Sequence, residues 1–65
     1  MNLQTAINEA RKEAVALHCT VKVVKAPAGS AWPYFPCRKE WFESAGEEYR
    51  LVAEAYSNGK VVKVT

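Results

Sequence analysis

Residues 47–65, EEYRLVAEAYSNGKVVKVT, decide the fold of this chain because they are compatible with two structures. A helix would place four side chains on one face: Tyr49, Val52, Ala53 and Tyr56. A hairpin would turn instead at Asn58-Gly59, which is a strong hairpin signal between two strands. The choice between the two determines how many strands the sheet has.

Three features favour the helix. Ser44 and Glu47 have the S-x-x-E spacing of a capping box, in which each residue bonds the backbone of the other. The glutamates that follow suit the first turn of a helix, and most of the next residues are good helix formers. We therefore predict a helix over 47–57 and a final strand over 60–65, in which Val62 and Val64 share one face.

Residues 32–37, WPYFPC, belong to a segment in which five of the seven aromatic residues are crowded into positions 32–42. Proline lacks the backbone donor that a central strand needs, so the segment 31–37 is predicted to be an edge strand or an extended arm. Alternation along it would put Trp32 and Tyr34 on one side and Phe35 on the other. The strand is expected to resume through 39–43.

The first third of the chain predicts a helix followed by a strand. Apolar residues recur at steps of three and four over 2–18, with Asn2 as an N-cap and His18 at the C-terminal end. Residues 19–26 are rich in valine and predict a strand, in which Val24 points away from the core face. The turn residues of 27–30 then connect this strand to the aromatic segment.

These elements predict a small α+β protein with the order α-β-β-α-β and a single domain over 1–65. A right-handed crossover would place the last strand beside an earlier one, giving a three-stranded sheet with two helices on one face. The other face of the sheet would then be largely open to a partner.

Composition points to an ordinary folded protein with a thin stability margin. The chain has 65 residues, a formal net charge of +2 and 49% hydrophobic residues. It shows neither the apolar core of a signal peptide nor a stretch long enough to span a membrane, and it begins with Met1. We therefore expect a complete, cytoplasmic protein without a membrane partner.

The residues offer little basis for catalysis or metal binding, so we expect neither an enzyme nor a cofactor. Aspartate is absent and His18 is the only histidine. His18 and its neighbour Cys19 would point apart on a strand, which prevents a nucleophile–base pair. With Cys37 they make three zinc ligands where four are usual. Both cysteines are expected to be reduced, with a disulfide as the alternative if they face each other on paired strands.

Protein–protein interaction is the leading functional hypothesis. Aromatic residues dominate interface energetics, and outward apolar side chains mark interfaces. The predicted partner-binding residues are Trp32, Tyr34, Trp41, Val24 and Val61. The partner would be another protein or a second copy of this chain. Because such short chains are frequent in phages and mobile elements, a compact regulator or inhibitor is the expected role.

Nucleic-acid binding is the alternative. Lysines and aromatic rings on an open sheet are typical of surfaces that bind single strands. The predicted contacts are Lys22, Lys63, Arg38 and Lys39. This alternative predicts retention on a polyanion column with a steep salt dependence.

Overall fold

A four-stranded antiparallel sheet is the centre of the fold in the computed structural model, which describes residues 2–64. The elements in chain order are α1 (Leu3–Leu17), β1 (Val21–Lys25), β2 (Tyr34–Arg38), α2 (Lys39–Ser44), β3 (Arg50–Ala55) and β4 (Val61–Lys63). The strand order across the sheet is β2-β1-β3-β4. The predicted α+β class is confirmed, but the sheet has four strands where three were predicted, and the element order differs.

Helix α1 begins and ends as the sequence predicts. The Asn2 side chain accepts a hydrogen bond of 2.8 Å from the backbone N–H of Thr5, which satisfies an otherwise unpaired donor at the helix start. His18 is the C-cap in the left-handed conformation, with φ of 51°, and its N–H bonds the carbonyl of Ala14. Both ends of the helix are therefore fixed by local hydrogen bonds.

The main core lies between α1 and one face of the sheet and is made of small residues. From the helix it takes Ala6, Ile7, Ala10 and Ala14, and from the strands Val21, Val23, Ala53 and Ala55. Most of them are fully buried. Five of these eight residues are alanines, so the helix backbone can approach the sheet closely.

Strand β2 lies at the edge of the sheet, as expected from its proline, Pro36. Ala26 donates its N–H to the carbonyl of Pro33 at 2.9 Å, and Val23 pairs with Pro36. Successive residues of an antiparallel strand point their backbone N–H and C=O groups alternately toward and away from the neighbouring strand. The nitrogen of Pro36 therefore faces away from β1. The missing donor therefore leaves no gap in the ladder.

The predicted helix over 47–57 is wrong, and the hairpin that was the alternative is present. Strands β3 and β4 pair antiparallel, with Ala55 opposite Val61. The turn has a 2.8 Å bond from the N–H of Tyr56 to the carbonyl of Lys60, and Gly59 has φ of 87°, which favours glycine. Burial of alternate alanines of β3 against α1 overrides the local helix preference.

The second helix is short and lies earlier in the chain, where a strand was predicted. The Ser44 hydroxyl donates to the carbonyl of Trp41 at 3.0 Å and so lies at the end of α2, not at the start of a longer helix. The Phe42 ring of α2 lies 5.7 Å from Nζ of Lys22, which points away from α1. The two helices therefore cover opposite faces of the sheet and not the same one. Neither helix among the described residues has the length and hydropathy needed to cross a membrane.

Candidate functional site

The face of the sheet opposite α1 is not open, because aromatic side chains and α2 cover part of it. Val24, predicted to be exposed on this face, is fully buried at 0% exposure. It pairs with Phe35 on one side and with Leu51 on the other, across a bulge in β3. Val24 therefore supports the aromatic residues above it and is removed from the predicted contact surface.

Three rings, which we call the aromatic trio, pack on this face: Phe35, Trp41 and Tyr49. The ring centroids lie 5.3 Å apart for Phe35 and Trp41, 6.0 Å for Phe35 and Tyr49, and 5.2 Å for Trp41 and Tyr49. All three pairs meet edge to face, the arrangement that aromatic quadrupoles favour. The trio joins β2, α2 and Tyr49, the residue that immediately precedes β3. It holds its rings in fixed positions although Trp41 is 42% exposed.

Trp32 lies beside the trio at the mouth of an apolar groove, which we call the Trp32 groove. The groove has a volume of about 470 Å³, and its lining residues are Ala26, Ser30, Ala31, Trp32, Phe35 and Tyr49. Trp32 is 60% exposed, the most of any large hydrophobic residue described. A large ring at this exposure beside an apolar groove is the feature expected of a binding surface.

Tyr34 does not share a side with Trp32, as the alternation had predicted. It is half-buried and packs against the small-residue core under α1. The reason is that β2 begins only at Tyr34, so Trp32 lies before the strand and does not follow its alternation. Trp32 and Trp41 thus lie on the aromatic side of the sheet, and Tyr34 lies on the other side.

Val61 also differs from its predicted position. It pairs with Ala55 and packs against the α1 core, half-buried. Its neighbour Val62 pairs with Glu54 on the opposite face and is exposed, as is Val64. The predicted faces of the last strand are exchanged because the hairpin register sets them. Of the five predicted partner-binding residues, only Trp32 and Trp41 are exposed and lie on the aromatic side of the sheet.

The four predicted nucleic-acid contacts do not gather on one face. Lys22 is 2.9 Å from Glu54, with only 15% of its side chain exposed. Lys63 pairs in register with Ala53, so it lies on the α1 side of the sheet, away from Lys22.

The other two predicted cations lie close to carboxylates of their own chain. Arg38 is 3.6 Å from Glu13 of α1. Lys39 is 3.9 Å from Glu43 within α2. Ion pairing and separation therefore reduce the positive potential that these residues could offer to a phosphate backbone.

The acidic residues, in contrast, are unevenly distributed. The chain has seven, all glutamates. Among the described residues, four of them lie within 4 Å of a lysine or arginine: Glu9, Glu13, Glu43 and Glu54. The other three are exposed and flank the trio in sequence: Glu40, Glu47 and Glu48. Charges of both signs adjoin the rings: Glu13 and Arg38 line a groove with Phe35 and Trp41, and Lys25, Glu48 and Arg50 line one that includes Ala26.

The cysteines are free thiols and do not face each other. Cys37 pairs with Lys22 across β1 and β2, whereas Cys19 precedes β1. Burial raises the pKa of the Cys37 thiol to about 11, with Lys22 lowering it and Glu13 raising it. Within residues 2–64, no three histidine, cysteine or glutamate side chains come together in a group that could hold a metal ion.

Comparison of the chain with family models, with curated proteins and with solved structures finds no match. The geometry of the described residues therefore carries the functional argument alone. The sequence analysis placed Tyr49 on a helix face and did not include Ala26, Ser30 or Ala31 among the predicted contacts, although all four line the Trp32 groove. The loop signal at 27–30 was visible, but nothing in it indicated that the loop folds back beside Tyr49.

Proposed function

We propose that this chain is a non-enzymatic binding protein that recognises another protein through its aromatic surface, formed by the aromatic trio, Trp32 and the groove between them. The observation that supports the proposal most is the 60% exposure of Trp32 at the mouth of the apolar groove. An indole left in water contributes no burial energy to folding, and so short a chain has a small free energy of unfolding. Binding a partner would recover that energy.

The arrangement of the rings suits such an interface. Interface hot spots are enriched in tryptophan and tyrosine, and they lie at the centre of apolar, well-packed patches. Edge-to-face contacts already fix the trio, so its ordering costs little when a partner binds. Trp32 is then the side chain that closes over a group placed in the groove.

The role that fits this surface is that of a compact regulator or inhibitor, with phage and mobile-element proteins as the class suggested by chain length. A partner's exposed segment would be masked when it occupies the Trp32 groove. A second copy of the chain is the alternative partner, and it predicts a mass that doubles with concentration in sedimentation experiments.

The nucleic-acid alternative has less support. Lys22, Arg38 and Lys39 lie within 4 Å of glutamates. Lys63 lies on the opposite side of the sheet from Lys22, so the four residues do not form one basic surface for a phosphate backbone.

The test is affinity capture from lysate of the native host, quantified by mass spectrometry, with the wild-type chain and Trp32→Ala as baits. We expect the specific partner to be lost with Trp32→Ala, at least tenfold in recovered amount, because truncation of a central ring removes a hot spot. Circular dichroism should show the same spectrum for both baits, since Trp32 makes no ring contact with the trio.

Leu17→Ala is the matched control because it removes another exposed apolar side chain, 48% accessible, from α1 on the far face. It should retain the partner. Equal recovery with Trp32→Ala and wild type, or equal loss with both variants, would contradict the proposal.

A further inference from the structure

The sheet has two edges, and only one of them presents an unbroken row of backbone groups. At the edge formed by β2, the outward position at Pro36 has no N–H, so an added strand would lose a hydrogen bond in the middle of its ladder. The edge formed by β4 contains no proline. Within residues 2–64, no strand pairs with its outer side. Strand β4 is therefore the edge that accepts a further strand.

The hydrogen bonds of the β3–β4 hairpin show which groups face outward from β4. Val64, just after β4, donates its N–H to the carbonyl of Val52 at 2.8 Å. In an antiparallel pair, such hydrogen-bonded positions alternate with positions whose backbone groups point away from the partner strand. The N–H and C=O groups of Val61 and Lys63 therefore point away from β3. They are the donors and acceptors that an incoming strand would meet.

The side chains along this edge are exposed, and they include two lysines. Val62 and Lys63 are exposed, and so is Lys60 in the turn before β4. Neither lysine has a carboxylate within 4 Å among residues 2–64. The one glutamate that lies opposite β4 in the register, Glu54, has its carboxylate 2.9 Å from Lys22. The charge of the two lysines is therefore not neutralised by β3.

The grooves at the two ends of β4 are also basic. Among the described residues, the groove beside Gly59, in the turn before β4, is lined by two cations and no acidic residue. The groove beside Val64 is lined by two cations and one glutamate. The charged residues of the two grooves are Arg11 and Lys12, and Lys25, Arg50 and Glu48. Allowing for Glu9, which lies 3.9 Å from Lys12, each end still has a net positive charge.

We propose that β4 binds an extended, acidic segment of a partner protein, which adds to the sheet as a fifth strand. No residue of β4 lines the Trp32 groove, so this second surface goes beyond the proposed function. Hydrogen bonds to the backbone of Val61 and Lys63 hold the segment, and its alternate side chains give specificity. A carboxylate opposite Lys63 pairs with its charge on the α1 side, and an apolar residue covers Val62 on the other side.

A second copy of the chain fits this edge less well than an acidic segment. If two β4 strands paired antiparallel about Val62, the two Lys63 side chains would lie on one face at the diagonal spacing of roughly 7–8 Å. Lysine on an edge strand is one of the ways in which proteins prevent such pairing. The lysines therefore oppose a copy of this chain and attract a segment of opposite charge.

The test is fluorescence anisotropy with short labelled peptides in which valine alternates with glutamate, glutamine or lysine. We expect the glutamate peptide to bind most tightly and the lysine peptide most weakly. Lys63→Gln should weaken binding of the glutamate peptide about threefold at low salt, and less at high salt because the charges are screened. Lys63→Pro also removes an outward N–H. It should weaken binding about tenfold, with most of the loss remaining at high salt.

Two comparisons make these losses interpretable. Pro36 already occupies an outward position of the other edge strand, so Lys63→Pro should keep the wild-type circular dichroism spectrum. Lys39→Gln is the control for charge, because it removes an exposed lysine from α2, which follows β2 at the opposite edge. It should leave the affinity unchanged. Equal losses with Lys39→Gln and Lys63→Gln would show that overall charge attracts the peptide, and would overturn the inference.

Amide hydrogen exchange of the wild-type chain is a second measurement that needs no variant. The N–H groups of Val61 and Lys63 should exchange rapidly in the free chain and about tenfold more slowly with the glutamate peptide bound. The Trp32 indole signal should not shift, which separates this inference from the proposed function. Unchanged exchange at Val61 and Lys63, a shift of Trp32 in their place, tight binding of the lysine peptide or no binding by any peptide would overturn the fifth strand. Slow exchange without peptide, with a mass that doubles with concentration, would replace the acidic segment with a second copy.

Discussion

The two faces of the sheet are covered by different kinds of side chain. Under α1, the core is alanine and valine, and nearly every side chain is fully buried. On the opposite face, three rings and α2 cover Val24, and the rings themselves remain partly exposed. One face is closed by a helix backbone that approaches the sheet closely, and the other by large side chains that leave a groove.

Helix length explains the difference. Helix α1 has 15 residues and α2 has six, so at 1.5 Å per residue they span roughly 22 Å and 9 Å. A strand of five residues is about 17 Å long, so only α1 can cover the sheet from end to end. The trio fills part of what α2 leaves uncovered, and the rest is the Trp32 groove. The proposed binding surface is therefore uncovered because α2 is short.

The largest expected effect is on the closed face. Ala10 is fully buried between α1 and the sheet, so Ala10→Leu forces three carbon atoms into a space already filled. Overpacking of this kind costs about 1–3 kcal/mol, a large part of the free energy of unfolding of so small a chain. Urea unfolding followed by circular dichroism measures it. The matched control is Ala16→Leu, at an exposed alanine of the same helix, with an expected change near zero. Equal midpoints for the two variants would mean that α1 is not closely packed on the sheet.

The sequence could predict α1 and the edge strand because their signals are local. Asn2, His18 and the step of the apolar residues define the helix without reference to the rest of the chain, and Pro36 restricts its own strand to an edge. The stretch 47–57 has local signals that conflict. The spacing of Ser44 and Glu47 favours a helix, Asn58-Gly59 favours a hairpin, and only burial of Ala53 and Ala55 under α1 decides between them.

The second prediction tests how well the aromatic face excludes water where α2 begins. Cys37 has a pKa raised by burial from 9.0 to about 11. In a Cys19→Ser background at pH 8, the thiolate fraction of the folded chain is then about a hundredfold below that of the unfolded chain. A more basic thiolate is also more nucleophilic, which offsets part of the loss in thiolate fraction. The folded chain should therefore react with a disulfide reagent about tenfold more slowly than the unfolded chain.

The same pKa shift has a consequence for stability. The folded state holds the Cys37 proton more tightly, so the stabilisation is complete below pH 9 and is lost as the pH rises through about 11. Reaction of the folded chain at the rate of the chain in concentrated urea would show that this end of the face admits water freely. That result would mean that the aromatic face is less tightly packed than the face under α1.

The candidate site could be predicted only in part. Crowding of rings in 32–42 drew attention to Trp32 and Trp41, and both are exposed in the structure. The positions of Val24, Tyr34 and Val61 were wrong because each depends on the strand register or on where a strand begins, and a change of one residue exchanges the two faces. The ion pairs of Lys22, Arg38 and Lys39 could not be predicted for a different reason: they depend on which charged side chains meet in three dimensions.

The smallest expected effects on the free energy of unfolding distinguish Trp32 from Trp41, which lie on the same face of the sheet. Trp41 makes edge-to-face contacts with Phe35 and Tyr49, so Trp41→Ala should lower the free energy of unfolding by about 1 kcal/mol. No ring contact of Trp32 is found among the described residues. Trp32→Ala should therefore change the free energy of unfolding by less than about 0.5 kcal/mol. Urea unfolding of both variants tests the pair, and Trp41→Phe should recover part of the loss because it keeps a ring in the trio. If Trp32→Ala instead destabilised the chain as much as Trp41→Ala, Trp32 would be part of the packing of this face and its exposure would no longer argue for a partner.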